Sequence, residues 1–213
     1  MSVSGIMLML NINYRKNSYA GRNPYHDYLI KALKHFGYTK FTQQAEFWTL
    51  GAKEWHEWNN LKNHFQFQPK SYHNIDREHI NPNNDPRVQA HYPLDFFEMH
   101  KIWKHPTVIN FDSTNIITKN NEMLWGHLIS LVIKGMDKRP KISLNVNLMT
   151  SYARVRTTQD DQIIKELAVW EQMLRSNVEY YGYKYEIFNE GVWTPMEGHK
   201  TPMLSLHFLI STR

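Results

Sequence analysis

The chain has 213 residues, of which 41% are hydrophobic and 21% charged, so it is long enough for one folded domain and too apolar for a disordered one. It contains no cysteine, which excludes a disulfide, a thiolate metal site and a cysteine nucleophile. The formal net charge of +5 comes from residues 134–156, where six basic residues face a single acid while the rest of the chain is balanced.

The first predicted element is a strand over residues 3–14, because apolar residues recur there with a period of two. The apolar start, residues 1–10, is too short to span a membrane. It also lacks the basic region and cleavage site of a signal peptide. We therefore expect a soluble protein made in the cytoplasm.

Two helical segments are expected next. Residues 24–36 begin with Pro24 after the capping residue Asn23 and place apolar side chains at helical spacing before Gly37, which predicts a helix that ends there. Residues 41–67 are predicted to be further helix. Within them Trp55-His56-Glu57-Trp58 lacks the His-Glu-x-x-His spacing, so we expect no zinc hydrolase site.

Residues 66–93 are rich in Asn, Gln and Pro and show little apolar periodicity, so they are predicted to form a long ordered loop. Six of the twelve histidines lie between His64 and His105. Such a region could bind a transition metal, but no pair has a strong ligand spacing. Ordinary hydrogen bonding is the alternative, and we expect no metal or cofactor.

The remaining elements centre on a strand–strand–helix unit. Its first strand is 127–134, a basic turn covers 135–141, its second strand is 142–149 and its helix is 160–175. In the second strand Ser143, Asn145 and Asn147 alternate with apolar residues, which predicts one buried and one wet face. The other predicted elements are a helix over 94–104 and strands over 107–111, 179–188 and 203–210.

Together these elements predict a single α+β domain over residues 1–213. It would have a mainly antiparallel sheet of about five or six strands, packed by three to four helices, with the 66–93 loop as an excursion.

The basic segment is the candidate contact for an anionic partner. A cluster of positive charge can attract phosphate or an acidic surface. A solvated hairpin tip made soluble by its lysines explains the same residues equally well. The candidate contacts are Lys138, Arg139, Lys141, Arg154 and Arg156.

One stretch resembles a known family. Residues 107–174 resemble the later half of thymidylate synthases and related pyrimidine hydroxymethylases. Asn147-Leu148-Met149-Thr150-Ser151 matches their strand end, and Asp161 falls near their base-reading position. The cysteine nucleophile and the phosphate-binding Ser-Arg-Arg are absent, and Thr150 stands where their arginine would be. The resemblance implies a degenerate nucleotide-binding protein.

No catalytic motif was found, so the sequence favours a non-catalytic structural or assembly subunit. A virion component of the phage neck, tail-completion or baseplate type would fit the aromatic richness and the terminal strands. Its partners would be other protein subunits, in a homo-oligomer or a larger assembly, and no membrane. The alternatives are a nucleic-acid-binding module or enzyme that uses the basic segment, and the synthase-like protein.

Overall fold

The computed structural model describes residues 24–50, 55–76, 82–94, 96–102, 106–116, 122–149, 159–188, 192–193 and 203–212. The helices are α1 (Pro24–His35), α2 (His56–Leu61), α3 (Glu122–Met136), α4 (Gln159–Tyr180) and a 3-10 helix, Phe96–Lys101. The strands are β1 (Lys40–Phe41), β2 (Glu46–Leu50), β3 (Gln66–Phe67), β4 (Tyr72–Ile75), β5 (Val88–His91), β6 (Pro106–Ile116), β7 (Lys141–Met149), β8 (Lys184–Phe188), β9 (Val192–Trp193) and β10 (Met203–Ser211).

The main sheet of the described chain has eight strands and is mostly parallel. Its order is β5-β4-β2-β6-β7-β10-β8, and β9 pairs with β10. Neighbours from β5 to β7 are parallel, whereas β10 runs antiparallel to β7 and to β8. The prediction of a mainly antiparallel sheet is therefore wrong.

Two misassigned segments account for that error. Residues 66–93, predicted to be a loop, contain β4 and β5, which extend the parallel sheet beyond β2. Residues 127–134, predicted to be a strand, lie in α3. A helix therefore connects β6 to β7, and the two strands lie parallel instead of forming a hairpin.

Other predictions are confirmed by the structure. Helix α1, strands β6, β7 and β10, and helix α4 lie where the sequence placed them, with small changes of boundary. The predicted helix over 41–67 is wrong, because β2 and the short α2 occupy it. Within 94–104, predicted to be a helix, the described residues Phe96–Lys101 form a 3-10 helix, and the predicted strand over 179–188 starts later, at Lys184. The predicted strand over 3–14 lies outside the described residues.

Helices cover both faces of the sheet, and each face has its own apolar core. On one side, side chains of α3 and α4 pack on alternate residues of β6, β7 and β10, such as Ile109, Leu144 and Phe208. On the other side, α1 and α2 pack with aromatic residues of β1 to β4, such as Phe47 and Tyr72.

Next to the aromatic core, the sheet face under α1 is polar and yet buried. Ser143 and Asn145 of β7 are fully buried and Asn147 is 1% exposed. The prediction that these three residues form a wet face is therefore wrong. We call the whole set the polar layer, and it consists of Thr49, Asn74, Asn110, Asp112, Ser143, Asn145, Asn147, Ser205 and His207.

Within the described residues, no helix combines the length and the apolar character that crossing a membrane requires.

Candidate functional site

The polar layer lies at the point where the sheet reverses its winding direction. From β2 the chain moves outward to β4 and β5, and β6 then returns to the opposite side of β2. Open α/β sheets bind ligands outside the carboxyl ends of their strands at such a switch point. Thr49 of β2 is paired in register with Asn110 of β6, two residues before Asp112. These residues therefore lie near the edge where a ligand is expected.

Glu57, in the first turn of α2, is buried against this layer. Its carboxylate accepts hydrogen bonds from the Tyr72 hydroxyl at 2.8 Å, the Thr49 hydroxyl at 3.2 Å and the Asn110 amide at 2.6 Å. Burial and the nearby charge of Asp112 raise the pKa of Glu57 to about 8, against the effect of the three donors.

Asp112 is the second carboxylate of the layer. It accepts a hydrogen bond of 2.7 Å from the Asn147 amide, whose oxygen accepts one of 3.2 Å from the Ser205 hydroxyl. Burial raises the pKa of Asp112 to about 6, although the bond from Asn147 lowers it. The register between β6 and β7 shifts after Asp112, and irregularities of this kind often re-aim side chains beside functional sites.

His207 of β10 continues the layer on its far side. Its Nδ1 donates to the Asn145 carbonyl at 2.8 Å, and the Asn145 amide donates to Ser143 at 3.0 Å. Tyr25 of α1 stacks on the His207 ring at 5.9 Å and donates its hydroxyl to Asn110. Burial lowers the pKa of His207 to about 3, so the ring is neutral at physiological pH.

Two atoms of the layer are buried and have no hydrogen-bond partner among the described residues. They are the side-chain oxygen of Asn74 and Nε2 of His207. Orphaned polar atoms of this kind are rare in folded proteins and call for an explanation such as water or a ligand.

His26, in the first turn of α1, is the third titratable side chain close to the carboxylates. Its Nδ1 contacts the Asn60 amide at 2.9 Å. Burial, with His56 nearby, lowers the pKa of His26 to about 4. Ligand atoms of His26, Glu57 and Asp112 all lie within 4.8 Å of one another.

Two residues of the histidine-rich region, His73 and His91, form an aromatic stack with Trp48. The rings of His73 and His91 are 3.0 Å apart, nitrogen to nitrogen, and both stack on the indole of Trp48. The Trp48 N–H donates to Glu46 at 2.6 Å. This arrangement packs β2, β4 and β5 together. Glu46 also lies 3.4 Å from His73, but among the described residues the ligand atoms of His73, His91 and Glu46 do not all lie within 4.8 Å of one another.

Three of the basic residues predicted to contact an anionic partner lie in the described part of the chain, and they are not gathered around Glu57 and Asp112. Lys141 donates to the Phe36 carbonyl at 2.7 Å, at the end of α1. Lys138 and Arg139 lie in the turn before β7, roughly 25–30 Å along that strand from Asn147, the residue of the layer that contacts Asp112. Arg154 and Arg156 lie outside the described residues. The anionic partner and the oligomeric assembly stay predictions.

Sequence reasoning missed the residues that the fold brings together. Glu57 was considered only within a zinc motif, and Asp112 was assigned to a polar connection. A usable signal was present, since both follow strand-like runs that end in polar residues. It could not be used without knowing that β2 and β6 are neighbours.

Comparison with protein-family models gave no match, and neither did comparison with curated proteins. The solved structures that are similar to this chain include the following three. A precorrin-6y C5,15-methyltransferase from Geobacter metallireducens has a TM-score of 0.46 and 12% identity, over 93% of both chains. An rRNA methylase from Streptococcus thermophilus has a TM-score of 0.41 and 8% identity, over 91% of this chain and 99% of that one. The plantazolicin methyltransferase BpumL, in complex with a triazolic desmethylPZN analog and SAH, has a TM-score of 0.51 and 12% identity, over 89% of this chain and 85% of that one.

Of these three, the likeness to BpumL has a TM-score above 0.5 and carries an argument, which concerns the fold. It contradicts the prediction of a non-catalytic virion subunit, because the similar structure is an enzyme and not a structural or phage tail protein. Of the two alternatives, a nucleic-acid module and a synthase-like protein, no observation tests the former, whereas the structure does not support the latter. The latter required a strand at 127–134, where α3 lies. The chain therefore has a Rossmann-like fold, with a mostly parallel sheet flanked by helices, as in that methyltransferase.

Proposed function

We propose that this protein is an S-adenosylmethionine-dependent methyltransferase. The observation that carries the proposal is the position of the polar layer, at the switch point of a sheet that resembles that of a methyltransferase solved with SAH. Fold alone does not determine function, so the proposal depends on whether the residues at this edge suit the donor.

The sequence between β2 and α2 favours a cofactor without a pyrophosphate. Dinucleotide-binding folds place a Gly-x-Gly-x-x-Gly sequence there, so that backbone N–H groups can approach the pyrophosphate. This chain has Gly51-Ala52-Lys53-Glu54, with one glycine. S-adenosylmethionine has no phosphate and needs no such cradle, whereas a nicotinamide or flavin dinucleotide would.

Asp76 is the candidate ligand for the ribose. It directly follows β4, the neighbour of the switch-point strand β2, and its side chain is partly buried. A carboxylate at this place can accept hydrogen bonds from ribose hydroxyls, as the acidic residue of dinucleotide-binding folds does. When bound, S-adenosylmethionine would supply an electrophilic methyl group.

The polar layer would hold the methyl acceptor. Its amides and hydroxyls offer donors and acceptors that are buried under α1, where hydrogen bonds are stronger than in water. Tyr25 fixes Asn110, and Asn147 fixes Asp112, so these groups are oriented before a ligand arrives. The layer therefore suits an acceptor with several polar groups better than an apolar one.

Thermal unfolding with S-adenosylmethionine and with SAH tests the proposal. At a ligand concentration 100-fold above Kd, binding should stabilise the fold by about 2.7 kcal/mol. For a chain of this length that corresponds to a rise in Tm of roughly 5–10 °C. NAD and ATP serve as comparison ligands and should give no rise.

Asp76→Asn should weaken S-adenosylmethionine binding by roughly 10-fold or more, because a neutral amide accepts weaker hydrogen bonds than a carboxylate. Asp137→Asn is the matched control, since Asp137 is exposed in the turn before β7, at the opposite edge of the sheet. If neither S-adenosylmethionine nor SAH raises the Tm of the folded wild-type protein at millimolar concentration, the proposal is wrong.

A further inference from the structure

The three side chains His26, Glu57 and Asp112 come from three separate elements and meet at one place. Their ligand atoms all lie within 4.8 Å of one another. His26 and Glu57 are buried and Asp112 is partly buried. An imidazole and two carboxylates are groups that transition metals accept as ligands, and this spacing allows all three to reach one ion after small adjustments.

The hydrogen bonds around the two carboxylates suit their ionised forms. Glu57 receives three donors and Asp112 receives one. The amides of Asn110 and Asn147, which can only donate through nitrogen, are among these donors. The surroundings thus orient two negative oxygen groups towards each other, although like charges at this distance repel.

If Glu57 and Asp112 are both ionised, no lysine or arginine of the described residues balances their charges; without a cation, Glu57 keeps its proton at pH 7 because its pKa is raised to about 8. Among the ion pairs and hydrogen bonds of the described residues, none joins a lysine or arginine to Glu57 or Asp112. Buried charges in proteins are normally paired or coordinate a metal. One divalent cation would neutralise the two carboxylates.

A second feature of the same face also indicates a missing partner. The buried side-chain oxygen of Asn74 makes no hydrogen bond with the described residues. Asn74 is paired in register with Thr49, which donates to Glu57, and lies two residues after Tyr72, which also donates to Glu57. An ion held by Glu57 would carry water ligands, and such water could donate to this oxygen.

His26 is prepared to act as a metal ligand. Asn60 contacts its Nδ1, which leaves Nε2 to bind an ion. With metal bound, Nδ1 would carry the proton, and Asn60 would present its oxygen after a half-turn of the amide, giving the outer partner that metal-binding histidines usually have.

We propose that His26, Glu57 and Asp112 bind one divalent transition-metal ion, with Asn60 as the residue that positions His26. Mixed nitrogen and oxygen ligands favour Zn²⁺ or Mn²⁺ over Mg²⁺, which prefers oxygen. Three protein ligands leave at least one position for water or a substrate oxygen. The inference does not rest on the proposed methyltransferase activity.

The test is a titration of the full chain, stripped of metal with EDTA and dialysed. Isothermal titration calorimetry with Zn²⁺, Mn²⁺ and Mg²⁺ should show one ion per chain, with affinity in the order Zn²⁺ above Mn²⁺ above Mg²⁺. Electron paramagnetic resonance should show bound Mn²⁺, displaced by Zn²⁺. The proposal is wrong if the chain binds no Zn²⁺ at 1:1 stoichiometry with about 1 mM Zn²⁺, a concentration far above the dissociation constants of ordinary zinc sites.

Variants assign the ion to this cluster. Asp112→Asn and Glu57→Gln should each weaken binding by at least about 100-fold, and Asn60→Ala by the 10- to 100-fold typical of an outer partner. Asp137→Asn is the matched control and should bind as the wild type does. If Asp112→Asn and Asn60→Ala both bind Zn²⁺ with wild-type affinity, the ion is held elsewhere and the proposal is wrong. These two variants also decide the test if Glu57→Gln, which turns an amide towards Asn110, does not fold.

Discussion

His207 should make the protein less stable as the pH falls from 7 to 5, and His207→Phe should remove that contribution. In the folded protein burial lowers the pKa of His207 to about 3, whereas in the unfolded chain it is about 6.5. Below pH 6.5 the unfolded state therefore takes up a proton that the folded state does not. The stability present above pH 6.5 is lost as the pH falls, at about 1.4 kcal/mol per pH unit, until the folded ring titrates near pH 3.

Between pH 7 and pH 5 this one ring lowers the free energy of unfolding by about 2 kcal/mol, because the slope of about 1.4 kcal/mol per pH unit applies over the 1.5 units from pH 6.5 to pH 5. The variant should keep the stacking on Tyr25 and lose the hydrogen bond to Asn145, at a cost of about 1–3 kcal/mol at every pH. The wild type should therefore be the more stable protein at pH 7, and the difference should shrink by about 2 kcal/mol at pH 5.

Urea unfolding at pH 5, 6 and 7, followed by the fluorescence of the seven tryptophans, measures this difference. Ser205→Ala is the control, because it removes a buried hydrogen bond of 3.2 Å to Asn147 but no titrating ring. The free energy of unfolding of this control should change with pH by the same amount as that of the wild type. If the curve of His207→Phe also runs parallel, burial of a neutral His207 is not a source of the acid sensitivity and the reasoning is refuted.

Two further predictions concern stability at neutral pH. Gly126→Ala should stabilise the protein by up to about 1 kcal/mol, because nothing lies within 4 Å of the added Cβ in the middle of α3. Gly135→Ala should instead destabilise it by about 1–3 kcal/mol, since its Cβ would lie 2.4 Å from the end of Ile142. Thermal unfolding of the pair measures both effects, and equal Tm changes would contradict the packing argument. Lys141→Met should cost about 1–3 kcal/mol in urea unfolding through the lost bond to the Phe36 carbonyl, and a variant as stable as the wild type would show that Lys141 has no structural role.

The sequence predicts the elements whose pattern is determined locally. Helix α1 follows from its proline start, its apolar stripe and Gly37, which adopts a φ of 74° at the helix end. Strand β7 and helix α4 likewise show clear periods of two and 3.6 residues. These are also the elements that the structure confirms most closely.

The sequence fails where a residue pattern fits two structures. Residues 127–134 are apolar on several sides because α3 is buried against the sheet and α4, and periodicity cannot distinguish such a helix from a buried strand. The prediction misses strands β4 and β5 for the opposite reason. They have four residues each and contain polar residues such as His73 and Asn74, so only their pairing with β2 makes them strands. The parallel topology depends on both segments.

The error at β7 shows how the candidate site could have been recognised. Alternation of apolar and polar residues describes a strand with one wet face and a strand over a buried polar site equally well. Composition distinguishes them, because an exposed face normally carries Lys and Glu, which are almost never buried unless paired. The polar positions of β7 and β10 that the structure describes as buried carry only amides, hydroxyls and one imidazole. Two strands that both alternate apolar residues with uncharged polar ones therefore predict a buried polar site. The number of polar residues alone does not predict it.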